Sequence, residues 1–246
     1  MIPVRGSPLR PPTVNGGRGG LSLNSGPLQY TKTESATSLE GVLLAVPTLN
    51  EEAGLPVVLS QARELGVDTV VVDGGSTDRT TLVAERFGVP VVAASRGKGS
   101  AWRDFLTGVP YNNWKYVAMV DGDATYDLSA LPRLVSTDAD MVVALRMAVG
   151  ETPMVRSLGA RGLSMLAGLL LRSECPDLLS GFRVMRSESL SAVQITSNQF
   201  GLETELTIEY LRRGLRVRWV PVAYGRRSGS RSYGPSRTVS ISLGPS

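Results

Sequence analysis

An α/β domain on a mainly parallel, twisted sheet, with helices on both faces, is the fold class predicted for this 246-residue chain. Two observations predict it. Short apolar runs alternate along the chain with helix-length stretches, as parallel neighbours require, because each crossover needs its own helix. The chain is 42% hydrophobic, enough for one substantial core. The runs that read as strands are 42–47, 69–73, 89–93, 116–121, 141–145 and 217–222, each short, apolar and bounded by turn or polar residues. Helices are expected over 54–65, 79–87, 98–108, 128–136, 156–171 and 202–213. Residues 1–38 are rich in Pro, Gly, Ser and Asn without an apolar period, so they are expected to stay disordered. The resulting organisation is an extension over 1–38, one domain over 39–235 and a flexible tail over 236–246.

Composition removes several function classes. The chain has no histidine, which excludes Ser-His and Cys-His hydrolases, imidazole proton shuttles and His-ligated zinc. Its one cysteine, Cys175, forms no intrachain disulfide and no cysteine-rich zinc site. Chemistry must therefore run on carboxylates, cations, hydroxyls and a bound metal. No apolar run approaches the ~20 residues that span a bilayer, and no secretory h-region opens the chain. From Tyr210 onward there are eight arginines (212, 213, 216, 218, 226, 227, 231 and 237) and no acid. Such a cluster fits phosphate, nucleic acid or an anionic membrane surface, or else a basic tail with no specific partner.

Ligands of parallel sheets bind beyond the carboxyl ends of the strands, and three polar clusters fall there. Pro47-Thr-Leu-Asn-Glu51 follows the first strand, and Asp73-Gly-Gly-Ser-Thr-Asp78 the second. Asp121-Gly122-Asp123 follows the fourth. In the second cluster Asp73 is placed to meet a base or ribose, while Asp78 reads as a helix cap, with Ser76 or Thr77 as further cap candidates. In the third, two carboxylates two residues apart point the same way on extended chain, and Gly122 lets a ligand approach. Paired hard oxygen donors suit Mg²⁺ or Mn²⁺ together with substrate phosphates; an acidic turn is the alternative. Arg96-Gly-Lys98-Gly-Ser100 before a helix is either an anion site or an exposed basic turn.

The ordered string VPTLNEE (46–52), VVDGGSTDRT (71–80), RGKGSAWR (96–103), VDGDATYD (120–127), LSGFRVMR (179–186) and VPV…R…G (220–229) resembles glycosyltransferase family 2 with a GT-A fold. Within it the string is most similar to the dolichol-phosphate mannose synthase and polyprenyl-phosphate glycosyltransferase branch, over about 41–235. The resemblance implies inverting transfer from a nucleotide-diphosphate sugar, with Mg²⁺ or Mn²⁺ on the Asp-x-Asp motif. By residue, it puts Pro47, Thr48, Asn50, Glu51, Asp73, Lys98, Asp121, Gly122 and Arg227 on the nucleotide sugar. Asp121 and Asp123 would hold the metal, with Asp123 the better-placed direct ligand. Arg183 would lie on the acceptor side, and Arg146, Arg156 and Arg231 would meet the acceptor phosphate. The chain departs from the branch at Gly74, where a second acid is common, and at Thr125, where a Gln is common. Its Arg226-Arg227-Ser-Gly229-Ser-Arg231 segment also lacks the branch's terminal lysine.

A hydroxyl acceptor needs a carboxylate base, for which Glu203 is the better candidate beside Glu205, with a plain surface acid as the alternative. A polyprenyl phosphate is already anionic and needs none. Mannose or glucose transfer to polyprenyl (dolichyl) phosphate is the leading expectation, a soluble or saccharide acceptor the next, and nucleic-acid binding a distant third. The stretch 155–171, with arginines at 156 and 161, fits an interfacial helix or a core helix. The C-terminal arginines would add about 1 kcal/mol of attraction each near an anionic leaflet. Peripheral contact at the cytoplasmic face of the cell membrane is the corresponding expectation.

Overall fold

A computed structural model of the chain describes residues 39–148, 174–198 and 201–225, with Gly168 and the two-residue strand Val4–Arg5. Arg156, Arg227 and Arg231, the expected helix over 156–171 apart from Gly168, and the tail over 236–246 lie outside these residues.

The elements run β1 (Val4–Arg5), β2 (Val42–Thr48), α1 (Leu55–Leu65), β3 (Asp68–Asp73), α2 (Thr80–Arg86), β4 (Val91–Ala93) and α3 (Lys98–Gly108). They continue with β5 (Tyr116–Met119), α4 (Leu131–Ser136), β6 (Met141–Ala148), β7 (Arg183–Arg186), α5 (Ser187–Ser191), α6 (Leu202–Arg212) and β8 (Val217–Tyr224). Among the described residues they form an eight-stranded sheet in the order β1-β4-β3-β2-β5-β7-β6-β8. The pairs β2–β3, β2–β5, β3–β4 and β6–β8 are parallel, as the strand–helix alternation predicts.

Two findings depart from the sequence pattern. β7 lies antiparallel between β5 and β6, and it was not expected as a strand. It has only four residues and an arginine at each end, so it shows no apolar run to read. Val4–Arg5, inside the stretch expected to lack structure, pair antiparallel with β4.

Side-chain alternation along β2 builds the two halves of the core. Val42, Leu44 and Val46 pack with α1, α2 and α4, while Leu43 and Ala45 pack with α3 and α6. α1 shows why these helices form where they do. Leu55, Val58, Leu59 and Ala62 recur at helical spacing on its buried face, and Pro56 sits in its first turn. Gly66 ends it in the left-handed conformation at φ +65°. On the opposite face Trp102, Phe105, Leu206 and Tyr210 are fully buried. Each such apolar side chain contributes roughly 1.5–3 kcal/mol on burial. With both faces of the sheet covered, loops emerge at the strand ends, and those after β2, β3 and β5 emerge together at the carboxyl edge.

Candidate active site

Thr48 and Asp73 end adjacent parallel strands in register, so the loops after β2 and β3 start side by side. Their polar side chains bind each other. Asp73 accepts from the backbone N–H of Gly75 (3.2 Å) and Ser76 (3.0 Å) and from the Ser76 hydroxyl. The Ser76 oxygen accepts from Asn50 N–H (2.9 Å), and the Asn50 side-chain oxygen accepts from Thr77 N–H (2.8 Å). Glu51 N–H donates to the Thr80 hydroxyl (2.8 Å), which donates in turn to Asp78. Asp78 also accepts from Thr80 N–H at 2.9 Å; it lies one residue before Arg79, the N-cap of α2, and so meets the first N–H of the helix from outside the cap position where it was expected. Ser76 and Thr77 do not cap; they serve Asp73 and Asn50. Asn50 is left-handed at φ +56°, a strained state for a residue with a side chain, fixed here by bonds on both sides.

The Asp-Gly-Asp turn lies next to these loops. β5 ends at Met119, so Asp121 and Asp123 stand on a turn and not, as the sequence argument assumed, on extended chain. Asp123 is buried, and its Oδ1 accepts from the Thr125 hydroxyl (2.7 Å) and backbone N–H (3.2 Å). Thr125 stands where a Gln is common in the resembling branch, and it braces the carboxylate. Two glycines make the turn possible. A Cβ on Gly54 would lie 2.6 Å from the Gly122 carbonyl oxygen, and a Cβ on Gly181 would collide with the Asp121 carboxylate. Gly181 is itself positioned by its N–H, which donates to the Tyr126 hydroxyl (2.8 Å); that ring packs edge-on against Phe182 and Tyr224.

Lys98, the first residue of α3, bonds two carboxylates at once, Asp121 and Glu203. Burial works against its charge, yet the two carboxylates outweigh burial and hold its pKa above the ordinary lysine range. Burial likewise opposes the Glu203 charge, and Lys98 reverses this, so Glu203 lies below its usual pKa. Asp121 is held above its usual pKa by burial despite Lys98, with the charges of Glu203 and Asp123 adding to that rise. The cluster thus holds three carboxylates against the Lys98 ammonium and the Arg183 guanidinium beneath it, still an excess of negative charge that suits a further cation.

The remaining expected residues divide. Glu203 and Glu205 point apart, as their spacing predicts: Glu205 accepts from Thr196 N–H (2.7 Å), Ser197 N–H (2.9 Å) and the Thr196 hydroxyl. Arg183, expected on the acceptor side, has no exposed surface and lies beneath the site. It donates to the Ser180 carbonyl (2.9 Å), the Leu178 carbonyl (2.8 Å) and the Thr207 hydroxyl (2.7 Å). That geometry pins the 178–181 loop under Asp121 and gives Arg183 a positioning role. Arg146 stands at the rim, where its Nε and Nη2 each meet Asp177 at 2.7 Å and its guanidinium lies 5.3 Å from the Tyr224 ring centre. Gly54, Gly181, Asp177 and Tyr126 went unnoticed in the sequence reading. Gly181 and Tyr126 had a signal there, inside the quoted strings 179–186 and 120–127.

The residues fit a divalent ion that shares its shell with a ligand. Asp121 and Asp123 supply hard oxygen donors in a negatively charged pocket. Among the described residues no three His, Cys, Asp or Glu side chains form a complete cage, so phosphate oxygens and water would complete the shell.

The family model described as "Glycosyl transferase family 2" matches residues 44–193. Glycosyltransferase AglJ of Haloferax volcanii is 33% identical over 193 residues, covering 75% of this chain and 63% of its own length. The chain therefore spans less than two thirds of that relative. The dolichyl-phosphate hexose transferase of Haloferax volcanii is 30% identical over 206 residues, 80% of this chain and 89% of that protein. A crystal structure of glucosyl-3-phosphoglycerate synthase from Mycobacterium tuberculosis, with Mn²⁺, UDP and glucosyl-3-phosphoglycerate, superposes with a TM-score of 0.63. It covers 83% of this chain and 79% of that one at 24% identity. That likeness shows the shared fold, the GT-A fold of nucleotide-diphospho-sugar transferases.

Proposed function

This chain belongs to glycosyl transferase family 2, and from that membership we propose that it moves a hexose from a nucleotide-diphosphate sugar to a polyprenyl (dolichyl) phosphate, with inversion. The observation that carries the acceptor side of this reading is the state of Glu203. Its carboxylate is committed to Lys98 and held below its usual pKa, which makes it a weak general base. An acceptor that is already anionic, such as a phosphomonoester with a second pKa near 6, needs no base. A relative named dolichyl-phosphate hexose transferase supports the same class.

In this reading the loops around Asn50, Glu51 and Asp73 meet the nucleoside, and Lys98 binds the diphosphate. A divalent ion, Mn²⁺ or Mg²⁺, held by Asp121 and Asp123 would supply electrostatic stabilisation of the departing diphosphate. Arg146, fixed by Asp177, presents a cation at the rim to the acceptor phosphate. Among the described residues no helix is long and apolar enough to cross a membrane, so contact with a lipid acceptor would be made at a surface.

A second reading has its own support: the fold neighbour named glucosyl-3-phosphoglycerate synthase has a small phosphorylated acceptor in its title. One assay separates the two. Radiolabelled UDP-glucose or GDP-mannose, Mn²⁺ and a short polyprenyl phosphate are incubated with the protein, and the product is partitioned between butanol and water. Label in the organic phase supports the lipid acceptor. Label in a water-soluble product that is separated from the donor by anion-exchange chromatography, and that forms only when 3-phosphoglycerate is supplied, favours the second reading, and no transfer from either donor sinks both.

A further inference from the structure

The Lys98 cluster is asymmetric in exposure and in support. The Asp121 side chain is 31% exposed, against 15% for Lys98 and 13% for Glu203, so the Lys98–Asp121 contact faces the open rim and the Lys98–Glu203 contact lies behind it. The rear leg joins two helix starts that are fastened together. Arg103 of α3 donates to the Ser197 carbonyl (2.6 Å) and bonds Asn198, while Glu205 of α6 holds Thr196 and Ser197. The front leg ends on the turn that Gly181 admits. A lysine carries one compact charge on a flexible four-carbon stem, suited to exchanging one partner while keeping another.

We propose that Lys98 is a resident counter-cation that competes with the divalent ion for Asp121 and is passed, still tethered by Glu203, to the diphosphate when donor arrives. This rests on the reading of Asp121 and Asp123 as metal-binding residues. Two consequences follow from charge alone. A divalent ion arriving without donor meets the Lys98 charge in direct contact with its own ligand, so it binds weakly. A diphosphate gives Lys98 another anionic partner and uncovers Asp121, so nucleotide and metal strengthen each other's binding by the same factor. Glu203 is then a positioning residue: it keeps the ammonium within reach of both Asp121 and the diphosphate.

The test is Mn²⁺ binding followed by electron paramagnetic resonance of the free ion, on the full chain, with no turnover. With Mn²⁺ alone, Lys98→Gln is expected to bind at least about tenfold more tightly than the parent, while Lys98→Arg, which keeps the charge, stays close to it. UDP or GDP, each tried in turn, is expected to tighten Mn²⁺ binding about tenfold or more in the parent and only a few-fold in Lys98→Gln. If Lys98→Gln binds Mn²⁺ alone no more tightly while the parent still binds it with nucleotide, the proposal falls and the metal reading stands. If the parent binds no Mn²⁺ with either nucleotide, the metal reading falls and takes the proposal with it. Circular dichroism checks the fold. Should Lys98→Gln not fold, Lys98→Gln/Glu203→Gln removes one charge of each sign and is compared with Glu203→Gln alone. Tighter Mn²⁺ binding by the double variant supports the exchange, and equal or weaker binding overturns it.

Discussion

The rim joining β2 to β3 is held by hydrogen bonds between side chains and backbone, whereas the cluster of Lys98, Asp121 and Glu203 is held by charge. In the first region each polar group has a fixed backbone partner, so the shape presented to a ligand exists before the ligand comes. In the second, carboxylates outnumber cations, and the arrangement responds to any charge that enters. The difference teaches that a preformed polar surface and a charge-responsive cluster are built from separate physical terms. Rigid polar contacts resist change, whereas a charge imbalance invites it.

Variants at the charged region should therefore affect turnover more than folding, whereas variants at the polar rim should cost stability as well. Asp123→Ala is expected to lower kcat by about 100-fold or more with a thermal midpoint within a few degrees of the parent. Near-parent activity would remove Asp123 from the metal site. Gly181→Ala should follow, because its methyl group displaces the Asp121 carboxylate: activity falls about 10- to 100-fold, and the Mn²⁺ concentration needed rises. Full activity at ordinary Mn²⁺ would mean that the Asp121 position is not needed. Asp177→Asn frees Arg146 and is expected to raise the KM for the phosphate acceptor about tenfold with kcat little changed. An unchanged KM would remove Arg146 from the acceptor side.

At the polar rim, Asp73→Ala leaves the Gly75 and Ser76 N–H groups without their acceptor, costing roughly 1–3 kcal/mol of stability in a denaturant titration. The smallest effect is a pH dependence behind the charged region. Burial opposes the Glu205 charge, but the donors of Thr196 and Ser197 outweigh it and hold its pKa below the usual carboxylate range. An acid whose folded pKa is depressed stabilises the fold above its unfolded pKa and loses that contribution as pH falls through the folded value. The thermal midpoints of the parent and Glu205→Gln should differ at neutral pH and converge as pH falls below the usual carboxylate range and through the depressed Glu205 value. A gap that persists in acid would assign the effect to packing.

The layered architecture was legible because it is local. The alternation in 42–47 assigns Val42, Leu44 and Val46 to one face and Leu43 and Ala45 to the other, and the structure keeps that division. The rim position of the polar loops after β2, β3 and β5 follows from the same pattern. β7 was not legible, since four residues bounded by arginines carry no period, and only the gap between β5 and β6 makes them a strand. Arg183 was misplaced for a related reason. A guanidinium is expected at a surface, yet this one is buried because the Leu178 and Ser180 carbonyls and the Thr207 hydroxyl accept hydrogen bonds from it.

The sequence by itself determined the sheet-and-helix layers, the rim on which polar loops gather and the place of Asp121 and Asp123 just after an apolar strand. These depend on periods of two and 3.6 residues and on turn chemistry, which act between near neighbours. Only the tertiary structure decided that Lys98 lies between Asp121 and Glu203, the latter 105 residues away in the chain, and that Thr125 braces Asp123. Charge partnerships across such separations follow from how α3, α6 and the turn after β5 pack together. Packing is settled by the whole core and is recorded in no short stretch of the chain.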